Sequence, residues 1–461
     1  MLEQYRHIHF IGIGGAGMSA LAYVLVKRGY DVTGSDLHAG HMAEQLAEAN
    51  AMVFMGHDAS QVDGADAVVV SSAIHPDNVE LAAAKAKGIP VLHRSDVLKE
   101  LLNKEGARGV AVAGAHGKTT TSAMISVIAA EAGLDPTVVI GGDVQSLGGN
   151  ARDGKSPWVV AESDESDGSF LKFHPYLPVI TNIEDDHLDH YGTEENIYQA
   201  FKQFLGDMKE GGTGVLCMDN PKVRRLAQET DRPFVTYGLT EDCDYYARDI
   251  RHTHDGNSYD LYHHGEKLGT IRLRIPGRHN VLDSLGATSA ALLMGVPFES
   301  LRDSLERFAG AKRRFETKGR CRGIWVVDDY AHHPTEIAAT LRAAKETEAR
   351  EVVCVFQPHR FTRTKLLHDE FCTCFRHCDK LILTRIYSAG EEPIEGVTSE
   401  ALAEDIRRTT GQDVRYIDGF DEVETYLVQN AVTGDLVLTM GAGDVYRIGE
   451  EVLRELREVE P

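Results

Sequence analysis

Short apolar runs alternate with amphipathic stretches along most of the chain, a pattern that predicts β-strands separated by helices. The first region has a helical pattern at residues 18–28 and five strand-like runs, at 8–13, 31–34, 52–56, 67–71 and 89–92. A second series of strand-like runs follows at 109–113, 158–161, 179–182 and 214–218, and a third begins at 324–328. Strict alternation at 258–262 and 270–275 predicts antiparallel strands.

The length supports the same division, because 461 residues correspond to about three domains of ordinary size. A charged stretch at 99–108 and a basic, turn-like stretch at 312–319 separate the three series. We therefore predict an α/β protein of three domains. An N-terminal Rossmann-like domain covers 1–105, a central P-loop ATPase-type α/β domain with a small antiparallel β section covers 106–311, and a C-terminal Rossmann-like domain covers 312–461.

Charge and composition narrow the classes of protein. The chain carries 48 Lys and Arg against 71 Asp and Glu, and its formal charge of −23 argues against nucleic acid or anionic membranes as partners. The apolar runs are much shorter than the roughly 20 residues of a membrane-spanning helix, so no membrane insertion is expected. The N-terminal residues show no signal-peptide pattern, and seven scattered cysteines fit a reducing compartment. A cytoplasmic location is expected.

The first glycine-rich loop is Gly12-Ile13-Gly14-Gly15-Ala16-Gly17, which follows a predicted strand and opens a helix. Asp36 stands 19 residues after Gly17, at the end of the next strand. Glycines here let a diphosphate approach the backbone, and the helix N-terminus supplies N–H groups. The motif alone leaves three interpretations open: a packing turn, a nicotinamide or flavin cofactor, and another diphosphate such as a sugar nucleotide.

A second glycine-rich loop, Gly114-Ala115-His116-Gly117-Lys118-Thr119-Thr120-Thr121, lies between a predicted strand and a predicted helix. This spacing is typical of a phosphate-binding loop, in which amides surround a phosphate, the lysine neutralises its oxygens and a hydroxyl reaches Mg²⁺. Two such loops in successive domains indicate two different phosphorylated ligands, which a simple dehydrogenase does not need. The first loop is therefore better interpreted as substrate-binding.

Acidic residues follow two further strands of the central domain, at 162–167 (ESDESD) and 182–189 (NIEDDHLD). Carboxylates beside a phosphate loop suit Mg²⁺, which takes hard oxygen ligands. Most of these carboxylates are equally consistent with solvated loop charges. Glu162 is the strongest candidate ligand because it directly follows a strand.

Polar loops also follow two strands of the third domain, at 328–336 (DDYAHHPTE) and 357–364 (QPHRFTRT). Arg360 and Arg363 present planar, paired donors that suit a carboxylate, and His332 is a candidate to orient an amine or a carboxylate. Each residue alone is more often a surface residue, but the set occupies matching positions after strands.

Cys372, Cys374, His377 and Cys378 are a weaker candidate site, for zinc. A helix over residues 366–375 would place Cys372 about 200° from Cys374 around its axis, so buried thiols are the expected state.

Together these motifs resemble the Mur ligases, the cytoplasmic amino-acid ligases of peptidoglycan precursor synthesis. The segments that carry the resemblance follow the family's order over nearly the whole chain: 11–19 (IGIGGAGMS), 71–74 (SSAI), 114–121, 164–167 (DESD), 328–336 and 357–363. The resemblance implies one domain for a UDP-sugar, one for ATP, and one that completes the ATP site and binds the amino acid. It also implies ATP and Mg²⁺ as cofactors, with Mn²⁺ able to replace Mg²⁺, and a role in cell wall biogenesis, cell shape and cell division.

The family's motifs imply roles for individual residues. The implied UDP-sugar contacts are Gly12, Gly14, Gly15, Ala16, Gly17, Ser35, Asp36, Ser71 and Ser72. The implied ATP contacts are Gly114, Ala115, His116, Gly117, Lys118, Thr119, Thr120, His279, Asn280, Arg314 and Asp329. The implied catalytic residues are Lys118, Glu162 and His187, and the implied metal ligands are Thr119, Glu162 and His187. The implied amino-acid contacts are Tyr330, His332, Arg360 and Arg363.

Two residues depart from the family pattern. Ala115 stands where threonine is usual, and Asp283 stands where asparagine is common. Some related ligases carry a carbamylated lysine near the metal, and Lys202 is a conceivable counterpart or a surface lysine.

The resemblance implies that ATP activates the lactyl carboxylate of UDP-N-acetylmuramate as an acyl phosphate, which the amine of L-alanine then attacks. A related activity, addition of an intact tripeptide to the same UDP-sugar, is the alternative, although residues 357–363 favour alanine. A nicotinamide-dependent dehydrogenase leaves residues 114–121 unexplained, and Lys118, Glu162 and His187 argue against a non-catalytic UDP-sugar sensor. The oligomeric state is left open, and an oligomer is compatible with the sequence.

Overall fold

The computed structural model of the chain describes residues 2–37, 40–185, 187–253, 256–347 and 349–458. Asp186, part of the predicted acidic series, lies outside the described residues. The chain forms two compact units. The first unit consists of residues 1–249, 259–271 and 282–308, and the second of residues 250–258, 272–281 and 309–461.

The first sheet belongs to the N-terminal hundred residues and is entirely parallel. Its strands are β1 (His7–Ile11), β2 (Asp31–Asp36), β3 (Met52–Met55), β4 (Ala67–Val70) and β5 (Val91–His93), in the order β3-β2-β1-β4-β5. Its helices are α1 (Ala16–Lys27), α2 (His41–Glu48), α3 (Val79–Ala86) and α4 (Arg94–Asn103). The connections run to opposite sides of β1, so the first glycine loop follows the strand at the topological switch point.

The second sheet has ten strands, in the order β15-β14-β13-β12-β11-β10-β6-β9-β7-β8. They are β6 (Arg108–Ala113), β7 (Thr137–Val144), β8 (Gly149–Arg152), β9 (Trp158–Glu162), β10 (Leu177–Ile180), β11 (Gly214–Cys217), β12 (Phe234–Gly238), β13 (Tyr245–Thr253), β14 (Gly256–His263) and β15 (Glu266–Leu273). The accompanying helices are α5 (Lys118–Glu131), α6 (Leu188–Tyr191), α7 (Glu194–Gly206), α8 (Pro221–Glu229), α9 (Arg278–Leu293) and α10 (Phe298–Arg307). Strand β6 lies between β10 and β9 and is parallel to both, and β7 and β8 are antiparallel.

The third sheet has the order β16-β17-β21-β18-β19-β20 and is parallel except for the β16–β17 pair. Its strands are β16 (Glu316–Cys321), β17 (Ile324–Asp329), β18 (Val352–Phe356), β19 (Lys380–Leu383), β20 (Asp413–Tyr416) and β21 (Leu436–Met440). Its helices are α11 (Pro334–Lys345), α12 (Phe361–Leu366), α13 (His368–Cys374), α14 (Ser399–Thr410), α15 (Phe420–Asn430) and α16 (Tyr446–Glu458). The loops after β17 and β18 leave the same edge of the sheet, on either side of β21.

The hydrophobic core explains why these strands are nearly continuous runs of apolar residues. Strands β6, β18 and β21 are buried along almost their whole length, as strands covered on both faces must be. One apolar cluster contains side chains of the first sheet, such as Ile8, and of the second sheet, such as Tyr246. The third sheet has its own clusters on its two faces.

The predicted fold class is confirmed: the protein is α/β, with Rossmann-like first and third domains and a mixed central sheet. The boundaries near residues 105 and 312 stay predictions. The predicted helix over 366–375 is found as α13 (His368–Cys374), and Leu367 separates it from Leu366 at the end of α12. A β-strand also begins at Glu316, inside the stretch that we predicted to be turn-like.

Among the residues that the structure describes, no helix is both long enough and apolar enough to cross a membrane.

Candidate functional site

The second glycine loop connects β6 to α5 through a backbone that only glycine adopts readily. Gly114 has a φ of +144°, and Gly117 has a φ of +80° immediately before Lys118 opens the helix. A Cβ on Gly114 would lie 2.1 Å from Thr181 Oγ1, and a Cβ on Gly117 would lie 2.3 Å from Asp283 Oδ1. Both glycines are therefore required by conformation and by space.

Residues after β10 hold this loop in place. The Asn182 side chain accepts a hydrogen bond from His116 N (2.9 Å) and donates one to His116 O (2.9 Å). Thr181 Oγ1 donates to the same carbonyl at 2.6 Å. No sequence motif predicted a role for Thr181 or Asn182, although both follow the strand that precedes the second acidic series.

Lys118 is the cation at the centre of the loop. Its Nζ donates to Gly114 O (2.6 Å), to Ala115 O (3.2 Å) and to Glu165 Oε1 (2.9 Å). Burial opposes the charge, but Glu165 and the neighbouring carboxylates raise the pKa of Lys118 above its ordinary value. Lys118 is therefore charged and is held against the carbonyls of its own loop.

Three predicted site residues, Thr119, Glu162 and His187, lie around this lysine in the same unit. Thr119 Oγ1 donates to the Glu162 carboxylate at 3.0 and 3.1 Å, and Gly141 N donates to Glu162 Oε2 at 2.9 Å. His187 adopts a positive φ of 61°, and its Nε2 lies 3.8 Å from Glu165 Oε1. Glu165 joins this group although no motif assigned it a role.

The cluster has the donor chemistry that Mg²⁺ requires. The Glu165 side chain is buried, and its Oε2 has no hydrogen-bond partner among the described residues. Burial raises the pKa of Glu165, and Lys118 offsets only part of the charge of the surrounding carboxylates. An incompletely satisfied group of hard oxygen atoms beside a phosphate loop fits a divalent cation.

Residues of the first domain also contact the acidic loop. Arg94 pairs with Asp164, whose pKa is held well below its usual range because Arg94 and Lys118 outweigh the cost of burial. Ser72 Oγ donates to Asp167 Oδ2 at 2.5 Å, and His93 Nε2 lies 3.6 Å from the same oxygen. The predicted substrate residue Ser72 thus lies beside the acidic series of the next domain.

The first glycine loop is built against the end of β2. Gly12 has a φ of +77°, and its N–H donates to Ser35 O at 2.8 Å. Gly14 N donates to Asp36 Oδ2 at 2.9 Å. The buried amide of Asn150, from β8, donates to Ala16 O at 2.7 Å where α1 begins. The N-terminus of this 12-residue helix suits a diphosphate.

In the third domain, the loop after β17 is organised by Asp329, a predicted ATP contact. Its carboxylate accepts from Phe315 N (2.7 Å) and Ala331 N (2.8 Å), and burial raises its pKa to about 6. The guanidinium of Arg314 lies over the ring of Tyr330, 5.5 Å from its centroid. The three predicted residues Asp329, Arg314 and Tyr330 are thus neighbours.

The predicted amino-acid contacts form a second cluster beside this loop. His332 lies 5.9 Å, centroid to centroid, from His359, whose Nδ1 is 3.1 Å from Arg363 Nη1. Burial lowers the pKa of His332 to about 4 and that of His359 to about 3, so both rings are neutral at pH 7. Arg360 is half-exposed and has a φ of +71°. His359 belongs to the motif at 357–364, but no role was predicted for it from the sequence.

The remaining predictions concern helix α9 and Lys202. Asn280 is buried. Its side chain donates to Pro276 O at 2.6 Å, and Pro276 lies just before the first residue of α9. His279 precedes it in the first turn of α9, whereas Asp283 lies against Gly117. Lys202 pairs with Glu229 at 2.8 Å and is 40% exposed, which favours a surface lysine.

The three cysteines of the weak zinc candidate are buried thiols. Cys374 and Cys378 donate to the carbonyls of Phe371 and Phe375, and burial raises the pKa of Cys374 and Cys372. This is the state expected from the sequence.

Comparison with known proteins identifies the chain as a ligase. It belongs to the Mur ligase family: residues 7–105 match the model "Mur ligase family, catalytic domain", residues 112–291 match "Mur ligase middle domain", and residues 313–443 match "Mur ligase, glutamate ligase domain". The family suggested by the motifs is thereby confirmed.

Curated relatives span the full length. The chain is 46% identical over 458 residues to the UDP-N-acetylmuramate–L-alanine ligase of Pelotomaculum thermopropionicum, covering 99% of both chains. It is 48% identical to the ligase of the same name from Symbiobacterium thermophilum, covering 98% of this chain and 95% of the relative.

Solved structures agree with this assignment. The UDP-N-acetylmuramate-alanine ligase of Thermotoga maritima is similar with a TM-score of 0.85 at 28% identity, over 98% of this chain and all of that one. A murein peptide ligase from Psychrobacter arcticus has a TM-score of 0.73 at 25% identity, over 99% and 100% of the two chains.

Proposed function

We propose that this chain joins L-alanine to the lactyl carboxylate of UDP-N-acetylmuramate at the expense of ATP, giving UDP-N-acetylmuramoyl-L-alanine, ADP and phosphate. The observation that carries the proposal is the full-length similarity to curated ligases of that name, combined with the Lys118 cluster. A carboxylate is a poor electrophile, so conversion to an acyl phosphate supplies a leaving group for the amine.

Lys118 and the loop amides hold the phosphates of ATP in this mechanism. Lys118 exchanges its contacts with Gly114 O, Ala115 O and Glu165 for phosphate oxygens, and the amides after Gly114 bind the remaining oxygens. Thr119, Glu162 and His187 would hold Mg²⁺, which when bound screens the charge on the transferring phosphoryl group. Glu162 is kept in place by Gly141 N.

The first glycine loop and Ser72 bind the UDP-sugar, and the third-domain cluster binds L-alanine. The neutral His332 and the cationic Arg363 provide an acceptor for an amine and a donor for a carboxylate, respectively. Such an arrangement orients the α-amine for attack without competing with it for protons.

The nearest alternative is a ligase that adds an intact tripeptide to the same UDP-sugar. The murein peptide ligase shares the fold, but the full-length curated relatives described above are L-alanine ligases. We favour L-alanine on that ground.

Phosphate release from ATP in the presence of UDP-N-acetylmuramate tests the proposal. We expect release that depends on L-alanine, with the tripeptide at least about a hundredfold less effective in kcat/KM. Release without any amino-acid dependence would refute the ligase, and preference for the tripeptide would select the alternative.

A further inference from the structure

A buried polar cluster lies beside the first glycine loop and is centred on Glu80 in α3. The Glu80 side chain is fully buried; its Oε2 lies 2.6 Å from His9 Nε2 and 2.9 Å from Ser35 Oγ. Its Oε1 lies 2.6 Å from His57 Nδ1. His9 and Ser35 are also fully buried. Asn78 caps the same helix by accepting from Glu80 N, which fixes the backbone from which the carboxylate extends.

The contacts of Glu80 determine which nitrogen of His57 carries hydrogen. Burial opposes the charge on Glu80, but hydrogen bonds from His9, Ser35 and His57 hold its pKa below the ordinary value. An ionised carboxylate only accepts, so His57 Nδ1 must be a donor and Nε2 is the acceptor of the neutral ring. The His57 side chain is 17% exposed, and Nε2 has no hydrogen-bond partner in the part of the chain that the structure describes.

A chain of polar contacts continues from Glu80 on the side away from His57. His9 Nδ1 lies 2.8 Å from Thr33 Oγ1, which is 2.9 Å from His7 Nε2, and His7 Nδ1 faces Gly64 O at 2.9 Å. These contacts hold the ring of His9 in place against Glu80.

Glu80 also acts on the glycine loop through Ser35. The Ser35 hydroxyl donates to Glu80, and the Ser35 carbonyl accepts from Gly12 N (2.8 Å) and Ile13 N (3.0 Å). Ser35 was predicted as a UDP-sugar contact, yet its side chain is buried and points to Glu80. Its position thus links the carboxylate to the loop that faces the diphosphate.

His57 stands where this fold places a nucleoside. It follows β3, and the preceding Gly56 N donates to Asp36 O at 2.8 Å, at the end of β2. In dinucleotide-binding sheets of this order, the residue at the end of β2 contacts the ribose of the ligand. His57 is therefore beside the nucleoside end of a ligand whose diphosphate lies on the glycine loop.

We propose that Glu80 is a positioning residue for the nucleoside end of the UDP-sugar, and that His57 Nε2, oriented by Glu80, accepts a hydrogen bond from that nucleoside. The inference rests on the proposed function, because it takes UDP as the ligand of the first loop. The donor it requires is an N–H or an O–H. Uracil offers one at N3, where cytosine has none, and the ribose offers its 2′-hydroxyl.

Steady-state kinetics of Glu80→Gln provides the first test. Glutamine has a similar volume, but it cannot accept from His9, Ser35 and His57 together. We expect the KM for UDP-N-acetylmuramate to rise about tenfold, the effect of roughly one lost hydrogen bond, while kcat and the KM values for ATP and L-alanine change less than twofold. Glu44→Gln, on an exposed carboxylate of α2, is the matched control and should leave every constant unchanged. An unchanged KM for the UDP-sugar in Glu80→Gln would refute the proposal.

Direct binding of UDP, CDP and 2′-deoxy-UDP to the full chain tests the role of His57. His57→Asn keeps a donor toward Glu80 and lacks the Nε2 acceptor. Calorimetry should show that the wild type discriminates about tenfold against CDP if the donor is uracil N3–H, or against 2′-deoxy-UDP if it is the ribose hydroxyl. His57→Asn should lose that discrimination, and equal discrimination by both proteins would refute the contact.

A spectroscopic signature separates this role from a merely structural one and remains decisive if Glu80→Gln folds poorly. In ¹⁵N-histidine-labelled wild type, the signals that disappear in His57→Asn should report hydrogen on Nδ1 and none on Nε2; the opposite tautomer would overturn the assignment. Wild type that binds UDP with the expected discrimination but shows no L-alanine-dependent turnover would refute the ligase function alone. Turnover without discrimination against either analogue would refute the His57 contact alone.

Discussion

Lys118 Nζ lies 2.9 Å from Glu165 Oε1, and this pair occupies the centre of the phosphate loop. The same amine also binds two carbonyls of its own loop. If the loop binds ATP as proposed, a cation already stands where the phosphate oxygens bind, and nucleotide binding replaces existing contacts instead of creating the site. Glu165 would then compete with the phosphate for Lys118.

Lys118→Ala should reduce L-alanine-dependent phosphate release by at least about a thousandfold, because no other described cation contacts the loop carbonyls. Lys202→Ala is the matched control, since Lys202 pairs with Glu229 at the surface and should retain activity within about twofold. If Lys118→Ala releases phosphate at a near-normal rate under single-turnover conditions, the loop does not bind ATP as proposed.

Glu165→Gln should tighten the binding of ADP in the absence of metal by about fivefold, because Lys118 loses its charged competitor. Addition of Mg²⁺ should remove this gain, since the substitution also removes a candidate oxygen ligand. Calorimetric titration with and without Mg²⁺ checks both parts. Glu195→Gln, which alters an exposed carboxylate paired with Arg225, should behave as the wild type; identical metal-free affinities in Glu165→Gln and wild type would contradict the competition.

Gly117→Ala should destabilise the protein by more than the roughly 1 kcal/mol expected from a positive φ alone, since the new Cβ would lie 2.3 Å from Asp283 Oδ1. Gly133 is a suitable control because its φ of +78° is nearly the same and no heavy atom lies within 4 Å of an added Cβ. The free energy of unfolding measured in urea should be highest for wild type, lower for Gly133→Ala and lowest for Gly117→Ala. Only Gly117→Ala should lose nucleotide binding. Equal stability of the two alanine variants would mean that Asp283 moves aside at no cost.

Acidification should destabilise the third domain partly through His332. Its pKa is lowered by burial from 6.5 to about 4, so the folded state stays neutral at pH values where the unfolded chain takes up a proton. The contribution of the neutral His332 to the free energy of unfolding is complete above pH 6.5 and is lost as the pH falls toward 4. Asp329 has its pKa raised to about 6, so its protonation favours the folded state as the pH falls. This effect is the same in wild type and in a variant of His332.

The check is the melting temperature at pH 7 and pH 4.5 for wild type and His332→Asn. Wild type should lose about 3 °C more than the variant on acidification. His75→Asn, at a largely exposed histidine, should lose as much as the wild type. If the melting temperatures of wild type and His332→Asn differ by the same amount at both pH values, the titration of His332 is excluded as the cause.

The sequence predicted the elements that depend on local pattern. The apolar runs became strands, and the two glycine loops lie after β1 and β6 because tight strand-to-helix turns require glycine at fixed spacing. The helix predicted over 366–375 begins two residues later, at His368, because a turn at Leu367 separates it from α12 and no glycine or proline marks that turn in the sequence.

Residues that act by tertiary contact could not be found in this way. Glu80 lies 71 residues from His9 in sequence, and its contact with that ring arises only when α3 packs beside β1. The family resemblance implied Ser35 as a UDP-sugar contact, but only the structure shows that its hydroxyl is buried against Glu80. Glu165 is one carboxylate of an acidic series, and its contact with Lys118 distinguishes it from the others.

The apolar cluster that the first and second sheets share has a practical consequence for dividing the protein into fragments. A fragment ending near residue 105 would expose the apolar side chains that now pack against the second sheet, and it would leave the Ala16 carbonyl without the amide of Asn150. The first two domains should therefore melt in a single transition, and ligand screening against the UDP-sugar site should use a fragment that retains both.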